Sequence, residues 1–227
     1  MSDTESNKKN VLVVGSSRGI GFAIAENLLD EGHTVFGASR TGTPIEHGNL
    51  FDIPTDITNE RSVENLFEEI SLVTPGLDMV VLSAGYCSVD PIAETSSLEF
   101  INHLKTNAVG PFHILKHLQP FLIQNKTHVV SLSSEMGREA QAGWASFSSS
   151  KFALEGILQS CEREWSSLGI KFTTLRPWAV DTKMWENLGP DFSKDKFMSV
   201  DDFLEAFQIV VSEKKSWISD LKFNTYV

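Results

Sequence analysis

Tyrosine and cysteine are scarce in this chain of 227 residues, with two of each. Cys87 and Cys161 show no metal-ligand spacing. They are expected to be free thiols in a reducing, cytoplasmic setting, and neither is expected to be catalytic. The six histidines are not read as a ligand set, so no metal site is expected. Basic charge is also short: 19 Lys and Arg against 30 Asp and Glu leave a formal net charge of −11. That balance argues against a nucleic-acid partner, which needs a basic face. It leaves room for a phosphate-bearing ligand, because two well-placed arginines suffice for one. No apolar run approaches the ~20 residues that cross a bilayer, so no membrane partner is expected. The opening MSDTESNKKN is polar and lacks the apolar stretch of a secretory signal. Residues 1–9 read as a flexible lead, and 10–227 as a single domain.

What is present is an alternation of short apolar runs and amphipathic segments. VLVV (11–14), TVFGAS (34–39), MVVLSAG (79–85), HVVSLSS (128–134), KFTTLRP (171–177) and SWISDLKF (216–223) read as strands. Helices are predicted over 21–32, stopped by Gly32, over 62–70 with Thr58 as its N-cap, and over 98–124 with an interruption near Gly110-Pro111. Two more are predicted over 146–169 and 199–211. The predicted fold is α/β, a single doubly wound Rossmann-like domain of about seven parallel strands with helices on both faces. Ligands of such a sheet bind at the carboxyl ends of its strands.

GSSRGIG (15–21) joins the first strand to the first helix. Gly15 allows a tight turn, Gly19 a close approach of backbone to a pyrophosphate, and Gly21 a helix lying close against the sheet. Ser17, Arg18 and Ile20 complete the loop, and the helix start offers N–H donors to an anion. The second strand ends in GASR, with Arg40 where an acid would select an unphosphorylated ribose. Arg18 and Arg40 together suit a 2′-phosphate in forked geometry, which points to NADP(H) as cofactor.

The GxxxGxG spacing resembles that of the short-chain dehydrogenase/reductase family, and other landmarks agree along the chain from about residue 11. SAG (83–85), with Ala84 and Gly85, stands where the family has NAG. Asp56-Ile57 stands where its aspartate packs near the adenine. Asn107 in KTNAVG matches its helix asparagine, Ser134 in SLSSEMG its catalytic serine, and FSSSK (147–151) its YxxxK. RPWAVDT (176–182), with Pro177, Val180 and Thr182, matches its PGxVxT segment, with Trp178 in place of glycine.

The resemblance implies reduction of a carbonyl substrate, or oxidation of the corresponding alcohol, by hydride transfer. Ser134 holds the substrate oxygen, Lys151 holds the nicotinamide ribose and supplies charge, and Asn107 supports a proton relay. The expected tyrosine acid is absent. Phe147 keeps its ring and lacks its hydroxyl, a loss that typically costs about 10²–10⁴-fold in rate. Three readings stay open: a tyrosine-to-phenylalanine variant of an active reductase, a naturally diverged enzyme with different chemistry, or a cofactor-binding sensor or scaffold without turnover. Tyr86, just after SAG, is a candidate replacement acid, and Tyr226 a packing or dimer residue. Ser146 and Ser148 should point away from the site.

Residues 183–199 read as a short substrate lid with Met184, Trp185, Phe192, Phe197 and Met198, and Trp144 as a further aromatic wall. The resemblance also implies a homodimer or homotetramer. Phe112, Leu115 and Leu118, with Leu154, Ile157 and Leu158, fit either that interface or packing under the sheet.

Overall fold

The computed structural model describes residues 8–124, 126–185, 197–212 and 216–223. Tyr226, Phe192 and most of the expected lid and N-terminal lead lie outside them. Seven strands form one parallel sheet in the order β3-β2-β1-β4-β5-β6-β7. They are β1 (Asn10–Val14), β2 (Thr34–Ser39), β3 (Leu50–Pro54), β4 (Met79–Leu82), β5 (His128–Leu132), β6 (Lys171–Arg176) and β7 (Asp220–Lys222). Successive side chains of a strand face opposite sides, so the apolar runs feed two cores. Leu12, Val14, Val80 and Leu82 join the core under α2 (Glu60–Ser71), α4 (Gly110–Leu118) and α5 (Ala145–Glu164). Val11, Val13, Met79 and Val81 join the core under α1 (Gly19–Asp30) and α6 (Val200–Val211). The direction of winding reverses between β1 and β4, and this is where a crevice opens.

β3 has no counterpart in the strand-like segments of the sequence. It is an edge strand, LFDIP, with exposed or half-buried positions and a terminal proline, so it shows neither a buried run nor clean alternation. The last strand pairs only over Asp220–Lys222. The N-cap of α2 is Asn59, not Thr58: the Asn59 side chain accepts from the N–H groups of Arg61 and Ser62. Thr58 instead donates both its N–H and its hydroxyl to Asp56.

The helical stretch near 98–124 divides into α3 (Ser97–Leu104), one π-helical turn (Lys105–Val109), α4 and a 3₁₀ turn. Pro111 has no N–H to give the carbonyl four residues back, and Gly110 donates to Lys105, five back. That widened turn carries Asn107. Leu115, Leu118, Leu154 and Leu158 are buried in the core, with Ile157 packed against it. Of the six residues considered for an interface, only Phe112 is largely exposed, at 48%.

Behind the sheet edge lies a buried ion pair with no sequence signature. Glu155 of α5 accepts two hydrogen bonds from Arg176 of β6, at 2.9 and 2.5 Å. Arg176 also pairs with Asp220 of β7, which ties the short last strand to the sheet. Removing one partner of a buried pair leaves the other charge uncompensated. Glu155→Ala is therefore expected to lower unfolding free energy by about 3 kcal/mol, read as a lower urea midpoint.

Candidate active site

A cleft of about 330 Å³ runs along the carboxyl ends of the strands, from the glycine turn to Lys151. At one end lie Gly15, Ser17, Arg18, Gly19, Ile20 and Gly21. Gly15 has φ +90°, and a Cβ there would sit 2.6 Å from the Ala84 nitrogen. A Cβ on Gly21 would collide with the Ser83 hydroxyl and the Gly15 carbonyl. Both glycines are thus required by the close approach of the turn to the end of β4. Arg18 is the N-cap of α1 and contributes no side-chain acceptor, so the first N–H groups of the helix face the cleft uncapped.

Arg40, at the end of β2, lines the same end. The side chains of Arg18 and Arg40 make no hydrogen bond or ion pair among the described residues. Asp56 and Ile57 form one wall, Ala84 and Gly85 the floor, and Pro177, Val180 and Thr182 the opposite rim. Thr182 packs over Gly19, within 3.5 Å of where a Cβ would stand.

At the far end stand Ser134, Phe147 and Lys151. Phe147 and Lys151 are one turn apart on α5, so both face the cleft. Ser134 caps a 3₁₀ turn, and its hydroxyl accepts from the Met136 N–H at 3.2 Å. The Lys151 ammonium donates to the Leu132 carbonyl at 2.9 Å and lies 5.6 Å from the centre of the Phe147 ring. Burial lowers its pKa from 10.5 to about 8, against smaller upward pulls from Cys87 and Glu155. Glu155 is itself held by Arg176, and among the described residues no carboxylate bonds the ammonium.

Asn107 does not line the cleft. It is fully buried, accepting from the Tyr86 N–H and donating to the Tyr86 carbonyl and the Ser150 hydroxyl. Its amide positions the backbone after β4. Tyr86 lines the cleft, but its hydroxyl donates to Glu99 at 2.6 Å. That bond, with burial, pushes its pKa up to about 12. The expectation that Tyr86 could replace the missing acid is corrected accordingly. Ser146 and Ser148 are buried away from the cleft lining. Trp144 is not a wall of the cleft: it packs edge-on behind Phe147, ring centres 5.7 Å apart. Trp178, 39% exposed, lines the cleft with Met184 and Trp185. Met184 reaches over Gly85, and Trp185 packs tilted against Phe197 and donates to the Val180 carbonyl.

Cys87 belongs to this end as well, two residues beyond SAG, a proximity that sequence reasoning set aside. Burial pushes its thiol pKa up to about 12, so it is an inert apolar contact of Phe147. Both cysteines are free. His113 and His117 do stand one turn apart, but His113 bonds the Ile57 carbonyl and His117 contacts Glu60. Glu60, Glu64 and His117 come within 4.8 Å of one another, and Lys116 already pairs with Glu60.

The profile of the short chain dehydrogenase family matches residues 9–192. A curated relative, 3-amino-tetrahydro-pyrrolizinone reductase of Xenorhabdus hominickii, is 26% identical over 94% of this chain and 80% of its own. Among solved structures, the alcohol dehydrogenase from the archaeon Thermococcus sibiricus complexed with 5-hydroxy-NADP superposes with a TM-score of 0.85. It is 23% identical, with 96% and 97% of the two chains covered. A tyrosine-to-phenylalanine variant of ElxO with NADPH bound gives a TM-score of 0.82 at 24% identity, covering 95% and 96%.

The burial of Lys151 sets a pH dependence of stability. Between about 8 and 10.5 the unfolded chain holds the lysine proton and the folded chain does not, so the contribution of this group to stability rises with pH. Lys151→Met is expected to remove that rise and to be the more stable protein at pH 7, by on the order of a few kcal/mol. Urea titrations of both proteins from pH 7 to 10 measure the difference.

Proposed function

The chain belongs to the short-chain dehydrogenase family, and from that premise we propose that it is an NADP(H)-dependent reductase of a small ketone or aldehyde. The carrying observation is one continuous cleft with an anion-binding glycine turn at one end and Ser134 and Lys151 at the other. The unpartnered guanidinium groups of Arg18 and Arg40 suit the 2′-phosphate of NADP(H), and relatives of this fold hold NADP(H) derivatives. The uncapped start of α1 suits the pyrophosphate, and the close approach at Gly15 and Gly21 leaves the room it needs.

When bound, the cofactor supplies a hydride to the carbonyl carbon. Ser134 donates its hydroxyl hydrogen to the substrate oxygen. Lys151 supplies positive charge close to that oxygen and holds the nearby ribose. Phe147, Met184, Trp178 and Trp185 exclude water and favour an apolar carbonyl compound. Phe147 supplies no proton, so turnover is slow. The absent hydroxyl also favours a second reading, an NADP(H)-binding sensor without turnover. A second copy of the chain is the proposed partner, docking on the exposed apolar side chains Val109, Phe112 and Phe152 of the α4–α5 side. The free thiols suit a cytoplasmic setting.

Two experiments test this reading. Phe147→Tyr is expected to raise the rate of NADPH oxidation with a panel of ketones and aldehydes by about 10²–10⁴-fold. A tyrosine variant as inert as the parent favours the sensor. Arg18→Ala and Arg40→Ala are each expected to weaken NADPH binding about tenfold or more, the value of one charged hydrogen bond, and to leave NADH binding almost unchanged. Nicotinamide fluorescence titrations read both.

A further inference from the structure

The cleft has to place a proton on an oxygen without the hydroxyl that position 147 lacks. Five other groups near that end could offer one. Tyr86 gives its hydroxyl hydrogen to Glu99. Cys87 holds its proton too tightly, burial having pushed it up to about 12. Ser134 is an alcohol, too weak an acid to yield its proton outright. Asn107 has spent its amide on Tyr86 and Ser150. Lys151 is different. Its ammonium is buried, lines the cleft and, among the described residues, makes one hydrogen bond, to the Leu132 carbonyl. Two of its three N–H groups therefore stay available to a ligand.

We propose that Lys151 is itself the proton donor of this site, its ammonium protonating the oxygen of the reduced carbonyl directly or across one water. The proposal rests on the reductase reading above. In the balanced step the hydride forms a C–H bond at the carbonyl carbon, and the C=O π pair moves to oxygen. One Lys151 N–H bond breaks as the O–H bond forms. The nicotinamide is left oxidised and Lys151 a neutral amine, which solvent reprotonates. The surroundings suit this role. Cys87 and Glu155 are the titratable groups that act on the ammonium, the first un-ionised and the second neutralised by Arg176. Arg18, Arg40, Asp56, Tyr86 and Lys183 are the other ionisable groups on the cleft wall. An ammonium left in an apolar setting without a carboxylate gives up its proton more readily than one in water. It lies 5.6 Å from the centre of the bare Phe147 ring, on the wall of the same cleft.

The test uses the full chain, NADPH and 9,10-phenanthrenequinone as the probe carbonyl compound. The unchanged chain is expected to reduce the quinone with kcat/KM falling about tenfold per pH unit above about 8. Lys151→Arg keeps the charge but holds its proton. It is expected to bind NADPH within a few-fold of the parent, by fluorescence, and to lose about 10²-fold or more in turnover. Independently of any activity, the Lys151 signal of [13Cε]lysine-labelled protein, identified by its absence in Lys151→Arg, is expected to titrate near 8. Three results overturn the proposal: Lys151→Arg turning over like the parent, the lysine signal titrating near 10.5, or Phe147→Tyr reducing the quinone where the parent is inert. Failure of the parent to bind NADPH at all defeats the reductase reading first, and this proposal with it.

Discussion

The functional edge of this protein depends on how closely the turn after β1 approaches the end of β4. A Cβ on Gly15 would run into the backbone of Ala84, and one on Gly21 into the Ser83 hydroxyl and the Gly15 carbonyl. Any side chain at either position pushes α1 off the sheet. With the approach intact, the helix start, Arg18, Arg40 and the SAG floor converge at the point where the winding reverses. Parallel strands send all their carboxyl ends to one side, so the far wall of the same cleft is built from β5, β6 and α5.

A second constraint acts at Lys151. The protein buries one lysine without a carboxylate partner while the nearest acid, Glu155, is engaged by Arg176. A Glu155–Lys151 pair would hold the ammonium charged and unreactive. Burial lowers the pKa of Lys151 against a smaller upward pull from Glu155, and the Glu155–Arg176 pair also fastens β7 through Asp220. The Glu155–Arg176–Asp220 arrangement thus joins α5, β6 and β7 at the sheet edge.

The positioning network around Tyr86 shows how far a residue's role can depart from its type. Tyr86 brings a phenol to the cleft wall, the group the site lacks, yet Glu99 takes the hydroxyl. Asn107 lies in a π-helical turn shaped by Pro111 and clamps the Tyr86 backbone with both ends of its amide. His103 is buried beside them, accepting from the Ser88 N–H and packing its ring on Phe147. Tyr86, Asn107 and His103 are thereby bonded to other protein groups, while Ser134 and Lys151 line the cleft beside Phe147.

The fold was legible because hydrophobic period and glycine position are local properties. The apolar runs at 11–14 and 79–85, the turn at 15–21 and the one-turn spacing of Phe147 and Lys151 are each read within a few residues. So is the missing hydroxyl at 147. The edge strand β3 was not legible, because an edge needs no buried run, and neither was the Asn59 cap, where two neighbouring residues could each serve. The sequence by itself determined the sheet, the glycine turn and the residue types gathered at its edge. Only the tertiary structure decided which of those side chains are free to act. Desolvation and hydrogen-bond partnership join residues far apart in the chain, as Glu155 with Arg176 and Lys151 with Leu132, and no local pattern encodes which partner a buried group will find.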